Sequence, residues 1–151
     1  MNILYITYDG ILEPLGQSQV LAYQEKLGKN FKLFLFSFEK PEDLGNTELL
    51  ESIQERIDQS SITWFFHKYH KFPNTISTLY DLSIGLFHCC YLVWRYKIKV
   101  VHARSYPPAL IALFLKKIFR IKFIFDMRGF WADERVDGNI WKKGSINYRL
   151  T

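Results

Sequence analysis

The chain has 151 residues, 48% hydrophobic and 17% aromatic, and its 20 Lys and Arg outnumber 15 Asp and Glu for a formal charge of +5. That length suits one well-packed domain and is too short for two α/β domains, and the apolar fraction excludes a disordered chain, which lacks the surface to offset its ordering entropy. Two adjacent cysteines, Cys89 and Cys90, cannot build a disulfide framework, and no Cys/His spacing has the form of a zinc site, so a reducing, cytoplasmic setting without a metal is expected.

The opening MNILYITYDG has no basic stretch and no small-residue cleavage site, so it does not read as a signal peptide. Residues 2–8 (NILYITY), rich in Ile and Tyr and closed by Asp9-Gly10, predict a buried strand. Residues 10–16 predict a loop punctuated by Pro14 and Gly16. Residues 17–27 place Val20, Leu21, Gln24 and Leu27 on one face of a helix that Gly28 ends. A second strand follows at 32–38 (KLFLFSF), then a polar loop at 41–46 and an amphipathic helix at 47–59 with Leu49, Leu50, Ile53 and Ile57 on one side. Residues 62–69 (ITWFFHKY) predict the third strand, which fades into a His- and Lys-rich loop. Pro73-Asn74 opens a long helix running to Tyr96. Its longest charge-free apolar run, 82–94, is thirteen residues, short of the ~20 that span a bilayer, and predicts a buried or interfacial helix. Residues 99–103 (KVVHA) predict strand four, Ser105 an N-cap, and 109–119 a helix preceded by Pro107 and Pro108 in its first turn. Residues 122–126 (KFIFD) predict strand five, 127–138 a loop, and Asn139 the start of a further helix.

Strands alternate with helices and are almost continuously apolar, as parallel strands covered on both faces must be. The expected fold is therefore α/β, a Rossmann-like doubly wound parallel sheet of order 3-2-1-4-5 with right-handed crossovers. Ligands of such sheets bind beyond the carboxyl ends of the strands, where the order reverses between strands one and four. Three loops meet that position. The first, DGILEPLGQSQ, is neither G-x-G-x-x-G nor a P-loop. What it offers is Gly16 before a helix with Gln17 and Ser18 in the first turn, a place where free N–H groups favour a phosphate. The same glycine could equally serve only the loop-to-helix turn. The second holds His102, Arg104 and Ser105. Arg104 has the planar fork that suits a phosphate or carboxylate, whereas His102 reads as a satisfied histidine in a buried strand. The third, FDMRGFWADERVDGNIW (125–141), gathers Asp126, Arg128, Trp131, Asp133 and Glu134. Carboxylates and Arg for hydroxyls beside an aromatic face for a ring is a sugar-holding mixture, and loops at strand carboxyl ends carry function; the plainer reading is a surface loop of paired charges.

NILYITYDGILEPLGQSQVLAYQEKL, VVHARS and FDMRGFWADERVDGNIW together resemble the N-terminal domain of family 4 retaining glycosyltransferases, which have the GT-B fold. The likeness runs along essentially the whole chain and is most specific in FDMRGFWADE. It implies that residues 1–151 are an acceptor-binding Rossmann-like domain cut short at its C-terminal end. A second domain, absent from this chain, would bind the nucleotide-sugar and carry a Glu-x7-Glu signature. The resemblance further implies transfer with retention, no cofactor and no metal. It places the donor diphosphate at Gly16 and Gln17, and the acceptor, a glycan or lipid-linked sugar of bacterial cell-surface polysaccharide synthesis, near Arg104, Trp131, Asp133 and Glu134. The family commonly has a histidine after strand five; Asp126-Met127-Arg128 stands there instead, so Asp126 and Arg128 become the catalytic candidates. This domain alone is expected to be inactive. The alternative is a non-catalytic flavodoxin-like interaction module; a receiver domain is disfavoured because a single Asp9, not an acidic cluster, follows strand one.

Charge is distributed unevenly. Residues 1–58 carry ten acids and five bases, and residues 59–151 fifteen bases and five acids. Between Asp81 and Asp126 there are eight bases and no acid. Seven of them fall at helix C-termini and the amino ends of strands four and five, partly as dipole complementation. With Phe87, Tyr91, Trp94, Tyr96 and Phe119 nearby in sequence, they predict peripheral attachment to an anionic membrane surface. No recognised RNA- or DNA-binding motif accompanies the bases, so no nucleic-acid partner is expected.

Overall fold

A computed structural model describes residues 1–72 and 74–128. The five predicted strands are present as β1 (Asn2–Thr7), β2 (Lys32–Glu39), β3 (Ile62–Lys68), β4 (Val100–Arg104) and β5 (Lys122–Asp126). They form one all-parallel sheet of order β3-β2-β1-β4-β5, the doubly wound Rossmann-like order expected. The register puts Tyr5 beside His102, and Thr7 beside Arg104, which in turn lies beside Asp126. The helix predicted from Asn139 lies outside the described residues.

The first crossover contains α1 (Pro14–Gly16), a π-helical segment (Gln17–Leu21) and α2 (Ala22–Gly28). The second contains α3 (Pro41–Leu44) and α4 (Thr47–Asp58). Both pack on one face of the sheet, where Val20, Leu21, Ile53 and Ile57 meet Tyr5, Leu33 and Leu35. On the other face α5 (Asn74–Tyr96) and α6 (Tyr106–Phe119) cover Leu4, Ile6, Phe34 and Phe36 with Cys89, Leu92, Ile111 and Leu115.

Several boundaries differ from the sequence expectation, and most of the differences trace to proline. Pro14 and Pro41 each start a short helix in a stretch read as loop, whereas Pro107 and Pro108 lie in the first turn of α6 as expected. Proline's fixed φ suits the first helical turn, where its missing N–H would have no partner anyway. Gly16 therefore lies inside a helical segment that has already begun, not ahead of it. Ser105 does occupy the N-cap position of α6, but its side chain makes no capping hydrogen bond.

Among the described residues one helical stretch, Ile76–Tyr96, is long and apolar enough to cross a membrane, with mean hydropathy 1.3. Here it is the crossover between two parallel strands of one sheet. Asp81, Cys89, Leu92 and Val93, spaced along a single face, are buried against that sheet.

His67 on β3 and His88 on α5 face one another, with His88 Nδ1 3.1 Å from His67 Nε2. Burial pushes both below the ordinary 6.5, and for His88 the neighbouring His67 adds to the effect. As pH falls through 6.5 the unfolded chain takes up protons that the folded chain refuses. The contribution to stability is thus complete above that pH and is lost below it. His88→Phe keeps the ring contacts with Phe36 and Phe65 and removes one titrating group. Thermal unfolding as a function of pH should show a shallower acid-side loss of Tm in this variant; an unchanged slope would assign acid lability elsewhere.

Candidate functional site

At the carboxyl edge of the sheet the loop after β1 is held from below by a buried carboxylate. Glu39 ends β2 fully buried. Its Oε1 accepts from the Ile11 N–H at 2.9 Å and its Oε2 from the Leu12 N–H at 3.1 Å. The Ser37 hydroxyl donates to Oε1 as well, and Ser37 Oγ in turn accepts from Trp64 Nε1 at 2.8 Å. Burial raises the Glu39 pKa above its ordinary 4.5, and these donors act in the opposite direction. Gly16 packs onto the loop so held. It has ordinary helical dihedrals, but a Cβ there would lie 2.0 Å from the Gly10 carbonyl oxygen and 2.7 Å from Ile11 Cα. The glycine is required by this close backbone approach.

Within the described residues, which include only 125–128 of the third loop, the three loops approach one another as the sheet order predicted. Arg104, at the end of β4, is only 8% exposed. Its Nη1 donates to Asp126 Oδ2 at 3.3 Å and its Nη2 to Gln19 Oε1 of the π-helical segment, while its buried Nε has no partner among the described residues. Asp126 Oδ2 also accepts from the Tyr5 hydroxyl at 3.4 Å and lies 4.0 Å from His102 Nε2. Burial above all raises the Tyr5 pKa and lowers that of His102. His102, packed edge-on against Tyr5 and Tyr23, is thus a neutral histidine of the strand, as its sequence position suggested. Beyond this group Arg128 Nη1 donates to Asp9 Oδ2 at 2.6 Å, joining the segment after β5 to the loop after β1. The site can hold anionic or hydroxylated groups against two Arg–Asp pairs, one half-buried and one open to solvent.

Ser105 directly follows Arg104 and is strained, with φ 71° and ψ 174°. That backbone region is essentially reserved for glycine and costs about 1–3 kcal/mol for other residues. The Ser105 N–H donates to the Asp126 carbonyl at 2.9 Å and its carbonyl accepts from Ala109 N–H, so the strain is held by β5 on one side and α6 on the other.

A second polar centre escaped the sequence reading. Asp81 on α5, only 1% exposed, accepts from the Tyr8 hydroxyl at 3.1 Å and the His70 N–H at 3.0 Å, and its Oδ1 lies 2.6 Å from His70 Nδ1. With Phe38, Phe66, Lys68 and Tyr80 this pair lines a cavity of about 350 Å³ beside the end of β3. The signal in the sequence was a lone acid in an otherwise apolar helix. For Glu39 the signal was weaker, because an acid closing an apolar strand reads as the first residue of a loop.

Of the residues singled out from sequence, Arg104 and Asp126 touch, Arg128 reaches Asp9, and Gln17 turns inward to donate to the Leu12 carbonyl at 2.8 Å. Trp131, Asp133 and Glu134 lie outside the described residues. No family model matches the sequence, and no curated protein matches it. A solved structure is similar. It is that of a glycosyltransferase from Rickettsia africae, with 17% sequence identity and a TM-score of 0.49 over 82% of this chain. The matched region is 28% of that protein's length.

Two substitutions test the construction of the loop. Gly16→Ala should lower stability in urea denaturation by about 1–3 kcal/mol, the range for forcing an extra methyl into a packed site. Glu39→Gln leaves one carbonyl oxygen for donors that use both carboxylate oxygens. It should cost about 1–3 kcal/mol and speed hydrogen exchange at the Ile11 and Leu12 amides. Wild-type exchange at those two amides would refute the pinning.

Proposed function

We propose that the chain is the acceptor-binding part of a retaining glycosyltransferase. The whole protein would move a hexosyl group from a nucleotide-sugar to a glycan or lipid-linked acceptor in bacterial cell-surface polysaccharide synthesis, in the cytoplasm. One observation carries the reading. The three stretches that resemble family 4 glycosyltransferases meet at a single guanidinium: Arg104 from VVHARS contacts Gln19 from the opening stretch and Asp126 from the FDMR segment.

In this reading the donor's anomeric carbon–oxygen bond breaks with its electron pair passing to the leaving diphosphate, and the acceptor hydroxyl oxygen bonds to the same face of the sugar as its proton passes to that diphosphate. Negative charge develops on the diphosphate and positive charge on the ring, so fixed charges aimed at both lower the barrier. Gly16 and Gln17 would line the diphosphate. Arg128 would turn from Asp9 toward that charge, and Asp126 would face the reacting centre. Arg104, with Trp131, Asp133 and Glu134, would hold acceptor groups.

The test uses the full-length protein with UDP- and GDP-hexoses and a glycan acceptor, reading the new linkage by NMR. Retained anomeric configuration is expected, with kcat reduced by about a hundredfold in Arg128→Met at unchanged Tm. Inversion would overturn the retaining assignment, and full activity in Arg128→Met its place in the site. A folded full-length protein that transfers nothing would favour a flavodoxin-like interaction module instead.

A further inference from the structure

The outer surface of α5 and α6 is apolar where a helix on a doubly wound sheet ordinarily meets water. On α5 the exposed residues include Phe87 (76% exposed), Tyr91 and Trp94 (69%), which recur at helical spacing opposite the buried stripe of Asp81, Cys89 and Val93. On α6, which packs beside α5, Leu113, Phe114 and Ile118 are exposed in the same way. Contiguous exposed apolar surface of this kind marks a contact with something other than water.

The charge around it selects the partner. Between Asp58 and Asp126 the only acid is Asp81, and that carboxylate is buried and committed to Tyr8 and His70. The same span carries exposed bases at the C-terminal ends of both helices: Arg95, Lys97 and Lys99 beside α5, and Lys116, Lys117 and Arg120 beside α6. None of these six lies within ion-pair distance of a carboxylate among the described residues. Lys97 and Arg120 even hold left-handed backbone, φ 50° and 54°, at the helix ends. Of the aromatics grouped with the bases in the sequence, Tyr96 and Phe119 pack against the core, so the contact is made by the outward stripe alone. A second copy docked through this face would bring no exposed carboxylate from its own α5–α6 span to meet these bases, because the one acid there, Asp81, is buried. An apolar strip with unpaired bases at one end of both helices, and no exposed acid on either helix among the described residues, matches an anionic lipid leaflet, its rings at the acyl boundary and its bases among the headgroups.

The geometry points to this α5–α6 face as a membrane-docking surface that lays both helices along an anionic leaflet. Both helices begin at the carboxyl edge of the sheet, so the Arg104–Asp126 site would open beside the membrane plane. The docking stands whether or not the protein is a glycosyltransferase.

The experiment is sedimentation of the 151-residue chain with vesicles of phosphatidylcholine and of phosphatidylcholine mixed with phosphatidylglycerol. Binding to the mixed vesicles should be tighter by at least about tenfold, since each base near an anionic surface is worth about fivefold. Lipids brominated in their tails should quench a fluorescence component that Trp94→Phe lacks. The triple variant Lys116→Glu, Lys117→Glu, Arg120→Glu should lose the anionic preference. Phe87→Ser with Trp94→Ser should lose binding while circular dichroism stays unchanged. Equal binding to both vesicles, or none, would overturn the proposal. So would a dimer in light scattering that the Phe87→Ser, Trp94→Ser variant abolishes, because the face would then belong to a second copy.

Discussion

The carboxylate of Glu39 is the interaction on which the upper edge of the sheet depends. A charge buried this fully is costly unless hydrogen bonds replace its water. Here two backbone N–H groups of the loop after β1, and a serine tied to Trp64, supply them. The bonds fix where the chain turns at Gly10–Leu12. That turn decides where a helix can land, and Gly16 allows it to land in backbone contact. Gln19, one turn further on, then reaches Arg104. A carboxylate on β2 thus positions a side chain that meets β4 and, through Arg104, β5.

Local rules of backbone conformation are broken just where the strand order reverses. The helix after β1 carries a π-helical segment at Gln17–Leu21, and Ser105 after β4 sits in a region that favours glycine. Departures of both kinds concentrate at functional sites, because only a surrounding structure that over-determines the backbone can hold them. Here the holding contacts are visible: β5 receives the Ser105 N–H, and the π-helical segment presents Gln19 to Arg104. Strain and polar convergence thus coincide at the carboxyl ends of β1 and β4.

The two faces of the sheet are treated differently. The crossovers on the α2 and α4 side bury their apolar residues and show polar ones outward; Glu25 and Arg56 even pair between them at 3.0 Å. On the α5 and α6 side both the inner and the outer surfaces are apolar. β5 adds to the asymmetry, since Ile124 and Phe125 at this sheet edge are exposed among the described residues.

The strand number, the all-parallel order and the meeting of the carboxyl ends of β1, β4 and β5 were legible in the sequence, because apolar runs alternating with helical periodicity leave few ways to wind a sheet. Arg104 and Asp126 were singled out from their place at strand ends alone, and the structure brings the two side chains into contact. The sequence could not say that Arg104 is already engaged by Gln19 and Asp126, since those partners are 85 and 22 residues away along the chain. It misread Pro14 and Pro41 as loop punctuation, because the same residue that breaks a helix interior also starts a helix well. Glu39 and Asp81 stood out only as lone acids beside apolar residues, and a lone acid shows its burial only once the sheet has closed over it. The basic excess was plain from counting, but which aromatics stand beside it was decided by helix phase against the core: Phe87, Tyr91 and Trp94 turn outward while Tyr96 and Phe119 turn in. Periodicity along the chain therefore determined the architecture, and contacts between residues distant in sequence decided the site and its surface, because only folding brings those groups within bonding distance.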